Sequence, residues 1–235
     1  MQLFFNPDID KHTQQITFDK IESKHIIRVL RKKEGDTIFI TNGKGLLFKC
    51  QLTSDDYKKC SVSILSQEEK QRSRDYYLHV AIAPTKNISR LEWFLEKATE
   101  IGIDEITPII CQNSERKVIK FERLEKIVVS AMKQSLKFYL PKLNKPIYFD
   151  DFLERKQEGK VCIAHCEKGE KKLLKSIVSS REPLTILIGP EGDFSAIEIA
   201  KSIDSNFIPI TLGETRLRTE TAALVAVNNI SFINQ

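Results

Sequence analysis

A chain of 235 residues, 41% of them hydrophobic, is long enough for one large domain or two small ones and apolar enough to bury a core. Its five cysteines (Cys50, Cys60, Cys111, Cys162 and Cys166) are odd in number, scattered and without a secretory signal, which argues against a disulfide framework and leads us to expect reduced thiols in a cytoplasm. No apolar run approaches the ~20 residues that a membrane span requires, and a formal net charge of +5 does not by itself identify a polyanionic partner.

The first predicted element is a helix over about Ile21–Arg31. It carries most of a basic run, Lys20, Lys24, Arg28, Arg31, Lys32 and Lys33 against the single acid Glu22, with His25 on the stripe of Arg28 and Lys32. Short strands are predicted at Thr37–Thr41, Leu46–Leu52 and Ser61–Leu65. Asn42-Gly43 between the first two signals a tight two-residue hairpin turn, because both residues tolerate positive φ. These elements predict a small β-barrel with one helix over residues 1–70, too small to house a cofactor but suited to presenting a basic surface. The polar stretch Ser66–Asp75 reads as a linker.

From Tyr76 onward strands and helices alternate. Leu78–Ala83 predicts a strand, and Leu91, Phe94, Leu95, Ala98 and Ile101 recur at helical spacing after it. Ser89 with Glu92 forms a capping-box signature for that helix, and Gly102 suits its end. Next come a strand at Ile106–Ile110, a helix bearing Leu124, Ile127, Val128 and Ala131, a strand at Val161–His165 and a helix over Lys171–Val178. A strand at Thr185–Gly189, a helix at Ala196–Ile203 capped by Ser195 and Glu198, a strand at Phe207–Leu212 and a helix at Glu220–Phe232 complete the series. Repeated βα units with apolar strands imply an α/β fold whose parallel sheet is covered on both faces.

A second basic run lies between Arg116 and Lys145, where Lys117, Lys120, Arg123, Lys126, Lys133, Lys137 and Lys142 also fall, against Glu122 and Glu125. Either run alone reads equally well as a solvated helix face; two in one chain point to a polyanionic partner.

The chemistry narrows by exclusion. There is no G-x-x-x-x-G-K-[ST] loop, no G-x-G-x-x-G between strand and helix, and no G-x-S-x-G elbow. Cys162, His165 and Cys166 lie in an apolar run with no second cluster to complete a ligand set, so no metal site is expected. His79 and His165 read as satisfied core histidines. What remains is a pair of loops at strand ends, Ile188-Gly-Pro-Glu-Gly-Asp-Phe-Ser195 and Leu212-Gly-Glu-Thr-Arg-Leu-Arg-Thr-Glu-Thr-Ala222. Capping by Thr219, Glu220 or Thr221 explains most of the second loop. Arg218 is not explained that way, since a cation at a helix start opposes the dipole and points to an anionic partner. The final helix is apolar nearly all round, as a helix in a subunit interface would be.

These paired loops closely resemble those of the ribosomal RNA small subunit methyltransferase E family, enzymes of the SPOUT class that use S-adenosylmethionine. The resemblance extends to His25-Ile-Ile-Arg28-Val-Leu-Arg31, to Glu96-Lys-Ala-Thr-Glu-Ile-Gly102 with Pro108 and Ser114-Glu-Arg116, and to Gln134-Ser135. It implies a PUA-like or OB-like barrel (1–70) that binds RNA, followed by a trefoil-knotted α/β methyltransferase domain (71–235) that forms a homodimer. The implied activity is methylation of a uridine at N3 in 16S rRNA, with the small ribosomal subunit as partner. A related enzyme acting on tRNA, or an RNA-binding module without catalysis, is the alternative. By the resemblance, Ile188, Gly189, Pro190, Glu191, Gly192, Ile210, Leu212, Gly213, Leu217, Arg218, Thr219 and Ala222 would hold the cofactor. His25, Arg28, Arg31, Arg116 and Lys137 would bind RNA. Arg218 would stabilise charge on the uracil carbonyl oxygens, and Glu220 would accept the N3 proton or order the loop. The chain departs from the family pattern at Asp193, commonly Gly, at Arg216, displaced by one residue, at Leu136-Lys137 after Gln134-Ser135, and at Gln2, where a basic residue is common.

Overall fold

The computed structural model describes residues 1–72, 74–178 and 181–235. The chain divides into two compact units, Met1–Ser73 with Met132–Leu140, and Arg74–Ala131 with Pro141–Gln235.

The first unit is built on a five-stranded sheet in the order β1-β3-β4-β5-β2, from β1 (Leu3–Phe5), β2 (Gln15–Thr17), β3 (Thr37–Thr41), β4 (Leu46–Ser54) and β5 (Ser61–Glu69). β1 and β2 are too short to announce themselves by alternation. From Phe48 onward β4 alternates buried and exposed residues, the signature of a strand with one wet face. Phe48, Cys50 and Leu52 enter a core with Phe4, Ile26 and Ile38. β5 runs on to Glu69 and pairs with β4 up to Leu46, so the first four residues of the expected linker are strand. Its polarity reflects an exposed strand face, and Ser73 within it lies outside the described residues.

The predicted helix is a short α1 (Lys20–Lys24), N-capped by the Asp19 carboxylate, that widens into a π-helical turn at His25–Val29. Arg31 ends it at φ +56°. The hairpin at Asn42-Gly43 is present but is not a two-residue turn. Gly43 (φ +69°) and Gly45 (φ +95°) both adopt left-handed backbone, and the loop pairs with the later segment through Gly45 N–H to Phe138 O (2.9 Å) and Leu140 N–H to Gly43 O (2.8 Å). A Cβ on Gly45 would collide with the Tyr139 phenol, whose hydroxyl donates to Lys70 O. Gly45→Ala is therefore expected to cost about 2 kcal/mol or more in chemical denaturation, combining a forbidden φ with a clash.

The second unit holds a parallel sheet in the order β11-β13-β10-β12-β6-β7-β8, with β9 also on β7. Its strands are β6 (Leu78–Ile82), β7 (Glu105–Ile110), β8 (Lys142–Leu143), β9 (Ile147–Tyr148), β10 (Lys160–Ala164), β11 (Lys172–Leu173), β12 (Leu184–Ile188) and β13 (Ile208–Thr211). Pro108 lies where the edge partner is interrupted between β8 and β9, a place that asks no hydrogen bond of it. β12 enters between β10 and β6, and β13 between β10 and β11, so twice the chain inserts a late strand into the sheet interior.

The helices are α2 (Ile88–Ile101), α3 (Phe121–Gln134), α4 (Phe149–Leu153), α5 (Ala196–Asp204) and α6 (Thr219–Ile233). Ala81, Ile109, Ile163 and Leu187 pack with Phe149 and Phe152 of α4 and Ile199 of α5, while α6 lies against α2, β6 and β12. α2 is capped by Asn87, which accepts from Ser89 N–H, and not by the Ser89–Glu92 box expected. The expected helix at Lys171–Val178 is instead β11 followed by a 3-10 turn at Leu174–Ser176. Pairing Lys172 and Leu173 with Ile210 and Thr211 extends the sheet at its edge, and Leu174 is buried in the turn that follows. Among the described residues no helix is long and apolar enough to cross a membrane.

Candidate active site

Among the described residues, cavities open at both ends of the parallel sheet. One, of about 350 Å³, opens at the amino ends of β6, β7 and β12. Its polar groups satisfy one another. His79 Nε2 meets Thr107 Oγ1 at 2.7 Å, Asn144 Nδ2 donates to Thr107 Oγ1 and to Glu105, and Tyr77 donates to Glu105. Burial lowers the His79 pKa to about 4, so it is a neutral core histidine, as its sequence context implies. Because the unfolded chain takes up a proton near pH 6.5 that folded His79 refuses until about 4, stability rises with pH across that window. As pH falls through it, up to about 3 kcal/mol should be lost. Denaturation midpoints at pH 7 and 4.5 measure the loss, and His79→Gln should remove this part of it.

A further cavity, about 290 Å³, lies at the carboxyl ends of β10 and β12, where α/β proteins bind ligands. Ile188, Gly189, Pro190 and Glu191 form one wall, and Leu217, Arg218, Thr219 and Ala222 another. Ala164, Cys166, Asp193 and Arg216 complete it. Asp193 and Arg216 belong to the two loops already singled out, whereas Ala164 and Cys166 escaped the sequence because their place depends on strand neighbours: Ala164 pairs with Ile188 across β10 and β12. Four expected members lie outside this wall. Ile210 is fully buried within β13, Leu212 is half-buried, Gly213 (φ +140°) is exposed in a turn closed by Thr211, and Gly192 abuts Asn113.

Local chemistry fixes the first wall. A Cβ on Gly189 would sit 3.0 Å from the Phe194 ring, so glycine here lets the loop fold back over its own aromatic residue. Asp193 N–H donates to Pro190 O (2.9 Å), and Asn113 Nδ2 holds the Gly192 and Asp193 carbonyls. Ser195 and Glu198 form the predicted capping box of α5. Glu191 accepts Lys86 N–H through Oε1 (2.9 Å), while its Oε2 is buried without a hydrogen-bond partner among the described residues. Thr219 Oγ1 donates to Gly189 O (3.0 Å) and ties the start of α6 to the end of β12.

Arg218 is the α6 N-cap, in extended backbone (φ −74°, ψ 157°), and supplies no side-chain cap. The first-turn amides of α6 are thus left to another acceptor, and its positive dipole end meets the cavity. Glu220 is not on the cavity wall. It is buried against α2, with Arg90 Nε 3.7 Å from Oε1. Nor is His165 a satisfied core residue: both ring nitrogens are buried without hydrogen-bond partners among the described residues, and burial lowers its pKa.

The residues expected on RNA fall in both units. In the first unit, His25 is half-buried with its ring in an edge-type contact with Phe4 (centroids 6.1 Å apart), Arg28 is exposed with its guanidinium 3.7 Å over the Tyr57 ring, and Arg31 is exposed. Lys137 is half-buried just past the end of α3. In the second, Arg116 donates to Thr85 O and Lys86 O through Nε and Nη2, so its guanidinium holds the β6–α2 loop. No group of His, Cys, Asp and Glu among the described residues could hold a metal ion.

Residues 72–231 match the family model of the RNA methyltransferase domain, and residues 18–65 that of the RNA methyltransferase PUA domain. The chain is 30% identical over 224 residues to ribosomal RNA small subunit methyltransferase E of Bacillus subtilis (strain 168), covering 90% of this chain and 87% of that protein. It is 30% identical over 212 residues to the protein of the same name from Rickettsia conorii, covering 89% and 86%. Among solved structures, a probable rRNA-methyltransferase from Porphyromonas gingivalis superposes with a TM-score of 0.91 at 39% identity, over 100% of this chain and 98% of that one. A Legionella pneumophila protein solved with the bound cofactor SAM superposes with a TM-score of 0.88 at 28% identity, over 97% and 96%. The chain with this glycine-walled cavity at its sheet ends belongs to the RNA methyltransferases, in the ribosomal RNA small subunit methyltransferase E family.

Proposed function

We propose that this protein is an S-adenosylmethionine-dependent methyltransferase that methylates N3 of a uridine in 16S rRNA, acting on the small ribosomal subunit in the cytoplasm. The observation that carries the proposal is the cavity between the Gly189–Asp193 and Arg216–Ala222 segments in a chain of this family. Its residues fit the cofactor. Glu191 offers a buried carboxylate oxygen with no partner, suited to a cationic or N–H group, and the uncapped start of α6 suits a carboxylate. Ile188, Leu217 and Ala222 supply apolar surface for an aromatic ring.

When bound, the cofactor supplies a methyl group activated by a sulfonium. Uridine N3 becomes nucleophilic as it gives up its proton to solvent water, and negative charge then spreads to the flanking carbonyl oxygens. The exposed Arg218 guanidinium on the cavity wall is assigned to that charge. Glu220, turned toward Arg90, orders the start of α6 and does not take the proton. Arg28 and Arg31, exposed on the first unit, bind phosphate, and the target base leaves its stack to reach the cavity. The first unit, with Met132–Leu140 added to the expected 1–70, is the RNA-binding part. The proposal includes a trefoil knot, supported by the two interior strand insertions. It also includes a homodimer through α6, where Phe232 and Ile233 are exposed apolar residues. The test is methyl transfer to naked 16S rRNA, isolated small subunits and tRNA, with mapping of the product. Modification of tRNA alone would reject the substrate.

A further inference from the structure

Asp193 has a backbone that its residue type disfavours. Its φ of +62° is left-handed, which glycine adopts freely and an L side chain does not. Its carboxylate compensates twice. Oδ2 accepts the Cys166 N–H at 2.6 Å, and Oδ1 accepts the Phe194 N–H at 2.8 Å. Cys166 follows β10 and Asp193 follows β12, adjacent parallel strands whose ends floor the cavity, and both residues line it. Charge-assisted hydrogen bonds of this kind are about twice as strong as neutral ones.

We propose that Asp193 is a cofactor-positioning residue: its carboxylate clasps the loop after β10 to the loop after β12 and so fixes the spacing of the cavity walls. The inference rests on the cofactor reading of this cavity. It also separates two meanings of the same residue. A side chain merely tolerated at this φ would be improved upon by glycine; a clasp would be lost with it.

The discriminating variants are Asp193→Gly, which relieves the backbone and removes both bonds, and Asp193→Asn, which keeps an oxygen for one of them. Hydrogen exchange of the Cys166 amide, followed by mass spectrometry without cofactor, reads the clasp directly. Calorimetry with S-adenosylmethionine reads its consequence. In Asp193→Gly, exchange should accelerate and the cofactor Kd should rise, each about tenfold, while thermal stability changes little because the relieved backbone offsets the lost bonds; Asp193→Asn should fall between. Under turnover, KM for the cofactor should rise while kcat changes little. Unchanged exchange, or faster exchange with unchanged affinity, overturns the positioning role. A wild-type protein that binds no S-adenosylmethionine overturns the cofactor reading itself, and the positioning role with it.

Discussion

Arg218→Ala is expected to reduce methylation by a factor of about 10²–10³ or more, the range for removing one preorganised donor to a developing oxyanion. Cofactor affinity should stay within a few-fold of the native value. The asymmetry follows from where the residue sits. Its main chain is the N-cap of α6, which alanine also permits, and its side chain makes no capping bond, so the helix loses nothing when the guanidinium goes. Arg218→Lys should recover only part of the rate, since an ammonium keeps the charge but not the planar fork that can address a carbonyl oxygen squarely. Single-turnover methylation with calorimetry on the same samples gives both quantities. Retained turnover in Arg218→Ala removes the residue from the catalytic assignment.

Phe194→Ala is expected to have the largest effect on stability, about 3–5 kcal/mol. The ring is 2% exposed and meets Phe149 at 5.6 Å between centroids, and it fills the space against Gly189, where an added Cβ would come within 3.0 Å of it. Its loss leaves a void directly beneath the first cavity wall. Cofactor affinity should therefore fall together with stability, whereas Phe194→Leu, which keeps most of the volume, should cost below about 1.5 kcal/mol. Denaturant midpoints for the two variants, with calorimetry on each, measure this coupling between core and site.

What the sequence disclosed divides by the range of the interaction. The Ser195–Glu198 box, the Gly102 helix end and the apolar stripe of α2 are written within a few residues of one another, and the structure repeats them. The two loops that form opposite walls are each contiguous in sequence, so most of their members were legible. Cys166 and Ala164 were not, because nothing local says that β10 lies beside β12. Asn87 and Ser89 both carry capping side chains two residues apart, and only the direction of chain entry chooses between them. β8 and β9 are two-residue pairings on a strand edge, below the length at which any periodicity exists. Glu220 shows the limit for function: its position at a helix start was readable, but not that its side chain is buried beside Arg90.

The hydrogen bonds from Gly45 and Leu140 that join the β3–β4 loop to the segment after α3 have a consequence for how the protein is made. A ribosome that has released only the amino-terminal strands has not yet supplied the piece that closes over their hairpin. The barrel-forming unit must wait, incomplete, while α2, β7 and most of α3 are synthesised. A fragment ending at residue 70 would keep the bonds of Gly43 to Thr41 and of Gly45 to Lys70 but lack those to Leu140 and Phe138, and the unfinished hairpin end would be open to chaperones during translation.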